Sequence, residues 1–309
     1  MADKLKVLIT DASGYVASQM LPEYRERYDL VLVDVTDTDR DGQVVPGVIV
    51  ADLSDPDRSR YDHLFEGVDS VIHLGYMRSE PGGVFGTETP QIDRFDVELA
   101  NVRMANNVYR TSYDAGVRRV VSARSNHAAD WYEDYQIHED RKDMVRPEDF
   151  PVSSNFYGWA KASYELLGWP YACGAFGRRL EFVMVRIGHP TPVNAARHMA
   201  EAPGMPPAGS GIRNFKRNLA CYFSPRDLRQ LFRKAVEVED VSANGEVPFA
   251  VVYGISNNTR AFWSLDSARQ VLGYEPEDDS EVVYGEDVHR YLTGADASAP
   301  GGRVGGQGL

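Results

Sequence analysis

Short runs of branched apolar residues recur along the chain, each followed by a stretch with helical spacing. This alternation limits the fold more than any other feature. Val7-Leu8-Ile9 leads through Thr10-Asp11-Ala12-Ser13-Gly14 into a helical pattern from Tyr15 to about Tyr28. Leu30 to Val35 reads as a buried strand carrying a carboxylate, Asp34, at its end, and Val48 to Asp52 and Val71 to Leu74 supply two more. A helical stretch from about Arg94 to Asp114 leads to a strand at Arg118 to Ala123. A further helix is expected from Tyr157 to about Phe176, disturbed at Pro170, and then a strand at Phe182 to Ile187. Strands alternating with helices of this length imply an α/β fold of the Rossmann type, a doubly wound parallel sheet with right-handed crossovers.

Beyond the sixth strand the pattern changes. Pro190 to Ala208 is rich in Pro, Ala, Met and Gly without periodicity, which reads as an irregular substrate-side segment or lid. Ser224-Pro225-Arg226-Asp227 has the form of a helix cap and first turn, opening a helix to about Val238. Phe249 to Tyr253 is a strand, and Asp266 to Leu272 a short helix closed by Gly273. The division expected is a dinucleotide-binding domain over 1–188, a mainly substrate-binding region over 189–293 with some elements returning to the main domain, and a flexible tail over 294–309. No internal repeat is present.

Composition narrows the function classes. With 43% hydrophobic and 26% charged residues the chain is of ordinary globular type. A formal net charge of −13 argues against a nucleic-acid surface, which needs clustered Lys and Arg, but leaves room for a locally positive pocket that takes a small anion. Cys173 and Cys221 stand far apart and in no metal-ligand spacing, so free thiols in a reducing compartment and no metal are expected. The apolar run near the N-terminus is too short for a signal segment or a membrane span, which makes a cytoplasmic location the expectation.

The chemistry centres on Ser153-Ser154-Asn155-Phe156-Tyr157-Gly158-Trp159-Ala160-Lys161 at a helix start. Tyr157 and Lys161, four apart, share one helical face. A phenol, with a pKa of about 10, becomes a useful base only beside a cation, and Lys161 could be that cation. A half-buried Tyr with a solvated Lys would show the same spacing, so the rest of the chain has to decide. Twenty residues separate Gly14 from Asp34, the distance at which a dinucleotide-binding βαβ unit places its ribose-binding acid. Such a carboxylate accepts from ribose hydroxyls and repels a 2′-phosphate, favouring NAD over NADP. The turn keeps only one of the usual glycines, Gly14. Ala17 at the third position is benign, whereas Asp11 at the first needs a backbone conformation glycine adopts more easily and brings negative charge to a pyrophosphate site.

Thr10, Gly14, Asp34, Asp52-Leu53, His73-Leu74-Gly75, Asn101, Ser125 and the Tyr157/Lys161 pair, in that order, resemble the extended short-chain dehydrogenase/reductases, which include NAD-dependent epimerases and dehydratases. Within that group, Ser125-Asn126-His127, Arg186-Ile187-Gly188, Val252 to Ser256, Trp263 and Leu272-Gly273-Tyr274 are most similar to uronate dehydrogenases, which oxidise the anomeric carbon of a hexuronate with NAD. The resemblance covers roughly the first 280 residues. It implies Tyr157 as general base, Lys161 as the cation that lowers its pKa and holds the nicotinamide ribose, and Ser125 as the group steadying the reacting oxygen.

The cofactor is then expected against Asp11, Ser13, Gly14, Tyr15 and Val16 of the turn, and against Asp34, Asp52 and Leu53 on the adenosine side. Leu74, Gly75, Asn101 and Ile187, with Tyr157 and Lys161, complete that set. The substrate is expected against Ser125, Asn126, His127, His189, Arg78 and Arg197, the last as the grip on a carboxylate. Arg78 and His189 stand where the uronate enzymes carry serines, and Arg124 where a small residue is usual. These departures point to an anionic sugar with more charge, or differently placed charge, than a simple hexuronate. A homo-oligomer is implied by the same resemblance. Two other readings stay open: an epimerase or dehydratase, opposed by Gly188-His189-Pro190 in place of an Asn-Val-Tyr-Gly-Pro type run, and an NAD-sensing protein without turnover.

Overall fold

The computed structural model describes residues 4–77, 90–200, 211–242 and 246–294. Seven strands, β1 (Lys6–Thr10), β2 (Asp29–Asp34), β3 (Val48–Val50), β4 (Ser70–His73), β5 (Arg119–Ser125), β6 (Glu181–Ile187) and β7 (Phe249–Gly254), form one sheet in the order β3-β2-β1-β4-β5-β6-β7. Every pairing is parallel. The order reverses between β1 and β4. There the loops leaving adjacent strands diverge to opposite faces and open a crevice at the strands' carboxyl ends, the usual binding position in open α/β sheets.

Both faces of the sheet are covered, which is why the strands read as continuous apolar runs rather than alternating ones. One face packs on the Tyr15–Arg27 and Pro225–Glu237 helices, with Met20, Tyr24, Leu228 and Phe232 buried against Ile9 and Val183. The other packs on the Phe95–Asp114 and Phe156–Cys173 helices, with Val108, Tyr109 and Tyr164 against Leu8, Val120 and Met184. The last of these helices runs past Pro170 to Cys173 and stops where Gly174 turns left-handed at φ 79°. Both cysteines are free, Cys173 exposed and Cys221 buried.

The stretch after Pro190 departs in part from the expectation of an irregular segment. Ala195–Ala200 is a short helix, and Gly211–Ala220 is a second one, strongly amphipathic, that buries Phe215 and Leu219. These make a small cluster with Val193, Tyr222, Val288 and Leu292 beside the main core. Residues 201–208 of the expected lid and 295–309 of the expected tail lie outside the described residues. Among the described residues no helix is long and apolar enough to cross a membrane.

Candidate active site

The β1 turn is built around an unusual residue. Asp11 holds φ at 55°, in the left-handed region, which costs an L-residue roughly 1 kcal/mol and which Asp tolerates better than most. Gly14 follows from this: a Cβ there would lie 2.3 Å from Asp11 Oδ2. Gly14 also caps the Tyr15–Arg27 helix, whose first turn carries no acidic residue, so its free N–H groups and dipole favour an anion. Asp34, at the end of β2, accepts from Ser13 N–H at 2.9 Å and Val35 N–H at 2.6 Å, and the Ser13 hydroxyl donates to Thr36 O at 2.8 Å. The Thr10 hydroxyl ties β1 to β4, accepting from Leu74 N–H at 3.0 Å and Gly75 N–H at 3.1 Å.

These groups border a cleft of about 830 Å³. Of the residues expected against the cofactor, Asp11, Ser13, Gly14, Tyr15 and Asp34 line it, as do Asp52, Leu53 and Gly75. Val16 and Leu74 pack into the core instead. Ile187 closes β6, nearly buried and paired in register with Ser125 and Gly254. Asn101 is fully buried, and its amide accepts from Met77 N–H at 2.7 Å while donating to Met77 O at 3.1 Å and Val97 O at 3.2 Å. It shapes the wall after β4. A cleft of this size at the switch point, with an anion-favouring helix start beside a ribose-type carboxylate, fits a dinucleotide.

On the far side of the switch point, β5 ends at Ser125, which caps the next turn by accepting from His127 N–H at 3.2 Å. The Phe156–Cys173 helix is driven against this turn. At Gly158 a Cβ would lie 2.1 Å from His127 O and 2.1 Å from Ser153 Oγ, so only glycine allows the approach. The contact sets the Tyr157 ring 5.7 Å from the His127 ring, edge to face. Asp130 fixes both partners. It accepts from Asn155 Nδ2 at 2.8 Å and Ser154 N–H at 3.1 Å at the helix start, and from His127 Nδ1 at 3.0 Å.

The other imidazole nitrogen of His127 lies 3.1 Å from Arg217 Nη2. Because a guanidinium only donates, Nε2 is the acceptor and the proton sits on Nδ1. Arg217 also forms a 2.9 Å ion pair with Glu133. Burial alone would raise the Glu133 pKa, but Arg217 and the histidines beside it reverse that and hold the carboxyl at about 2. Asp134 next to it is pushed up to about 8 by burial and by the neighbouring Glu133 and Asp130. Asn126 is buried, and among the described residues its Nδ2 has no hydrogen-bond partner, an amide donor left for a ligand.

Lys161 is buried in this wall. Its ammonium lies 4.5 Å from the Tyr76 ring centre, 5.0 Å from Tyr164 and 5.5 Å from Tyr157. Burial, reinforced by Arg124 and opposed by Glu98 and Asp11, brings its pKa down to about 7.

The residues expected at the substrate are only partly gathered. Ser125, Asn126 and His127 converge with Tyr157. His189 is partly buried nearby; its Nε2 meets Thr191 Oγ1 at 3.0 Å, and burial and Arg217 push its pKa down to about 4. Arg197 sits exposed on the Ala195–Ala200 helix, and Arg78 lies outside the described residues. Among the described residues, an arginine that meets His127 is Arg217. Sequence reasoning passed it over, together with Asp130, Glu133, Tyr76 and Glu98. The available signal was the amphipathic basic stretch Arg213 to Arg217, close before the Ser224 cap.

The chain is similar in sequence and in fold to known proteins. Residues 7–202 match the model of the NAD dependent epimerase/dehydratase family. The chain is 32% identical over 286 residues to an NAD-dependent glucose-6-phosphate dehydrogenase of Haloferax volcanii, covering 89% of this chain and 94% of that one. It is 30% identical over 236 residues to a uronate dehydrogenase of Pseudomonas syringae pv. tomato, covering 76% of this chain and 68% of that one. A solved uronate dehydrogenase from Agrobacterium tumefaciens in complex with NAD is similar in fold, with a TM-score of 0.66 at 23% identity over 98% of this chain and 96% of that one.

Proposed function

The chain belongs to the NAD dependent epimerase/dehydratase family, and from that premise we propose that it oxidises the anomeric hydroxyl of an anionic sugar, a hexuronate or a sugar phosphate. The observation that carries the reading is the meeting of Tyr157 with His127, two residues after Ser125, and with Tyr76 of the cleft wall, while Arg217 is bonded to His127. NAD, when bound, supplies the hydride acceptor, held along Gly14 and Asp34 with its ribose toward Tyr157 and Lys161.

Tyr157 takes the hydroxyl proton. The Lys161 ammonium beside it favours the phenolate by charge, and the Ser125 hydroxyl donates to the same substrate oxygen as negative charge gathers there. His127, held by Asp130, presents a fixed edge to the sugar. Arg217 offers a planar fork to a carboxylate or phosphate, and its pairing with Glu133 keeps the fork oriented while the site is empty of anion. His189, neutral at ordinary pH, serves as a hydrogen-bonding group rather than a cation.

NADH absorbance at 340 nm, with a panel of glucuronate, galacturonate, glucose 6-phosphate and neutral aldoses, tests the proposal. At least one anionic sugar should be oxidised in preference to its neutral counterpart. Tyr157→Phe should remove turnover by several orders of magnitude while NAD still binds. No NADH from any anionic sugar would refute the dehydrogenase reading, and conversion of a sugar without net NADH would favour the epimerase alternative.

A further inference from the structure

Two charged side chains flank Lys161 that the catalytic roles above do not use. Glu98, on the Phe95–Asp114 helix, has no exposed surface. Its Oε1 accepts a 2.6 Å hydrogen bond from the Tyr76 phenol, and among the described residues its Oε2 has no hydrogen-bond partner. The Tyr76 ring meets the Tyr157 ring edge to face at 5.3 Å and is also the ring nearest the Lys161 ammonium. Arg124 stands one residue before Ser125 and therefore points to the other face of β5. Its guanidinium stacks 4.3 Å over Tyr164, the second ring against Lys161. It donates only to Met184 Sδ at 3.2 Å, and its Nε and Nη1 are buried without partners among the described residues.

The ammonium is thus held between two phenol rings, one bonded to a carboxylate and the other covered by a guanidinium. Stability does not explain the arrangement, since burying charges is costly even when they are paired and apolar side chains of similar volume would serve the core as well or better. We infer that Glu98 and Arg124 are positioning residues of opposite charge that set the protonation of Lys161, Glu98 favouring the ammonium and Arg124 the neutral amine. This rests on the dehydrogenase reading of Tyr157 and Lys161. The other groups facing Lys161 are Asp11 from the β1 turn, which favours the ammonium, and His73 from β4, which burial, Arg124 and Lys161 keep neutral. Arg94 lies 3.8 Å from Glu98 and faces that carboxylate.

The arrangement matters because Tyr157 and Lys161 share protons. With one proton between them the pair is either phenol and amine, which is inert, or phenolate and ammonium, which is active. An anion nearer the lysine than the tyrosine favours the active arrangement, and a cation there opposes it. Removing an anion also makes every neighbouring proton easier to lose, whereas removing a cation makes each harder to lose.

Glu98→Gln keeps the shape and the bond to Tyr76, and Arg124→Met keeps an unbranched stem under Tyr164, so each changes mainly charge. With the sugar that wild type oxidises, Glu98→Gln should move the kcat/KM against pH profile about one pH unit toward acid and lower its maximum about tenfold. Arg124→Met should move the profile a comparable distance toward alkali. A second readout needs no turnover. The pH dependence of thermal stability, compared with and without Lys161→Met in each background, reports the midpoint at which Lys161 titrates. That midpoint should fall in Glu98→Gln and rise in Arg124→Met. Wild-type turnover with superimposable normalised profiles and an unmoved Lys161 midpoint would overturn the inference and leave the dehydrogenase reading standing. Midpoints that shift in the two variants while the wild type oxidises no sugar would refute the dehydrogenase reading and uphold the electrostatic assignment.

Discussion

Lys161→Met should make the protein more stable while abolishing its activity. The lysine is 4% exposed, and lowering its pKa from 10.5 to about 7 means that folding disfavours its charged form. At 1.36 kcal/mol per pH unit the penalty is about 5 kcal/mol while the group stays charged in both states. It is fully present below about pH 7. Between about 7 and 10.5 the unfolded chain holds a proton that the folded one has released, so this penalty declines as pH rises through that window. Methionine avoids the penalty but forfeits the ammonium's contacts with Tyr76 and Tyr164, worth about 1 kcal/mol each. The net gain at pH 6 is then about 3 kcal/mol. With an unfolding entropy of roughly 2 cal/mol/K per residue, it should raise Tm by about 5 °C. Calorimetric scans of both proteins from pH 6 to 10 would measure this. The gain should be largest at the acid end and vanish toward pH 10, and NADH formation should be lost throughout. A variant less stable than wild type at pH 6, or an offset that does not change with pH, would refute the account of Lys161 as a residue kept for its charge.

Three other substitutions probe the same site. Arg217→Lys preserves the charge and the pairing with Glu133 but loses the planar fork, so KM for an anionic sugar should rise about tenfold or more with a smaller change in kcat; equal KM values would place the anion elsewhere. Asp11→Gly relieves a left-handed residue but frees the unfolded backbone. Stability should change by no more than about 1 kcal/mol, while removal of a carboxylate beside the helix start should tighten NAD binding about fivefold by isothermal titration. An unchanged Kd would show that the carboxylate does not face the pyrophosphate. Glu133→Gln addresses acid stability. A carboxyl held at about 2 against its ordinary 4.5 contributes roughly 3 kcal/mol that is present above pH 4.5 and lost as pH falls toward 2. The gap between wild type and the variant should therefore close over that interval, and a gap constant with pH would count against the ion pair.

Much of the fold was legible without coordinates, because its determinants are local. Apolar runs with helical stretches between them produced the seven-stranded sheet, and the expected strands agree with β1 to β7 within one or two residues at most ends. The helix break at Gly273 rests on a single residue's freedom to turn left-handed, whereas the break at Gly174 came two residues before the expected end near Phe176. The conformational demand on Asp11 was likewise readable from its place in a glycine turn. The Gly211–Ala220 helix was missed because the preceding segment lacks periodicity and the helix's apolar stripe gains meaning only against Tyr222, Val288 and Leu292.

What the chain settled alone was its kind: strand follows helix because side-chain spacing repeats over a few residues, and Tyr157 and Lys161 share a face because four residues make about one turn. Tertiary packing decided which charges meet. Arg217 lies 90 positions from His127 and 84 from Glu133, and Glu98 reaches Tyr157 through the ring of Tyr76. Such contacts depend on where crossovers return the chain, and no local pattern encodes a distance between residues that only the closed sheet brings together.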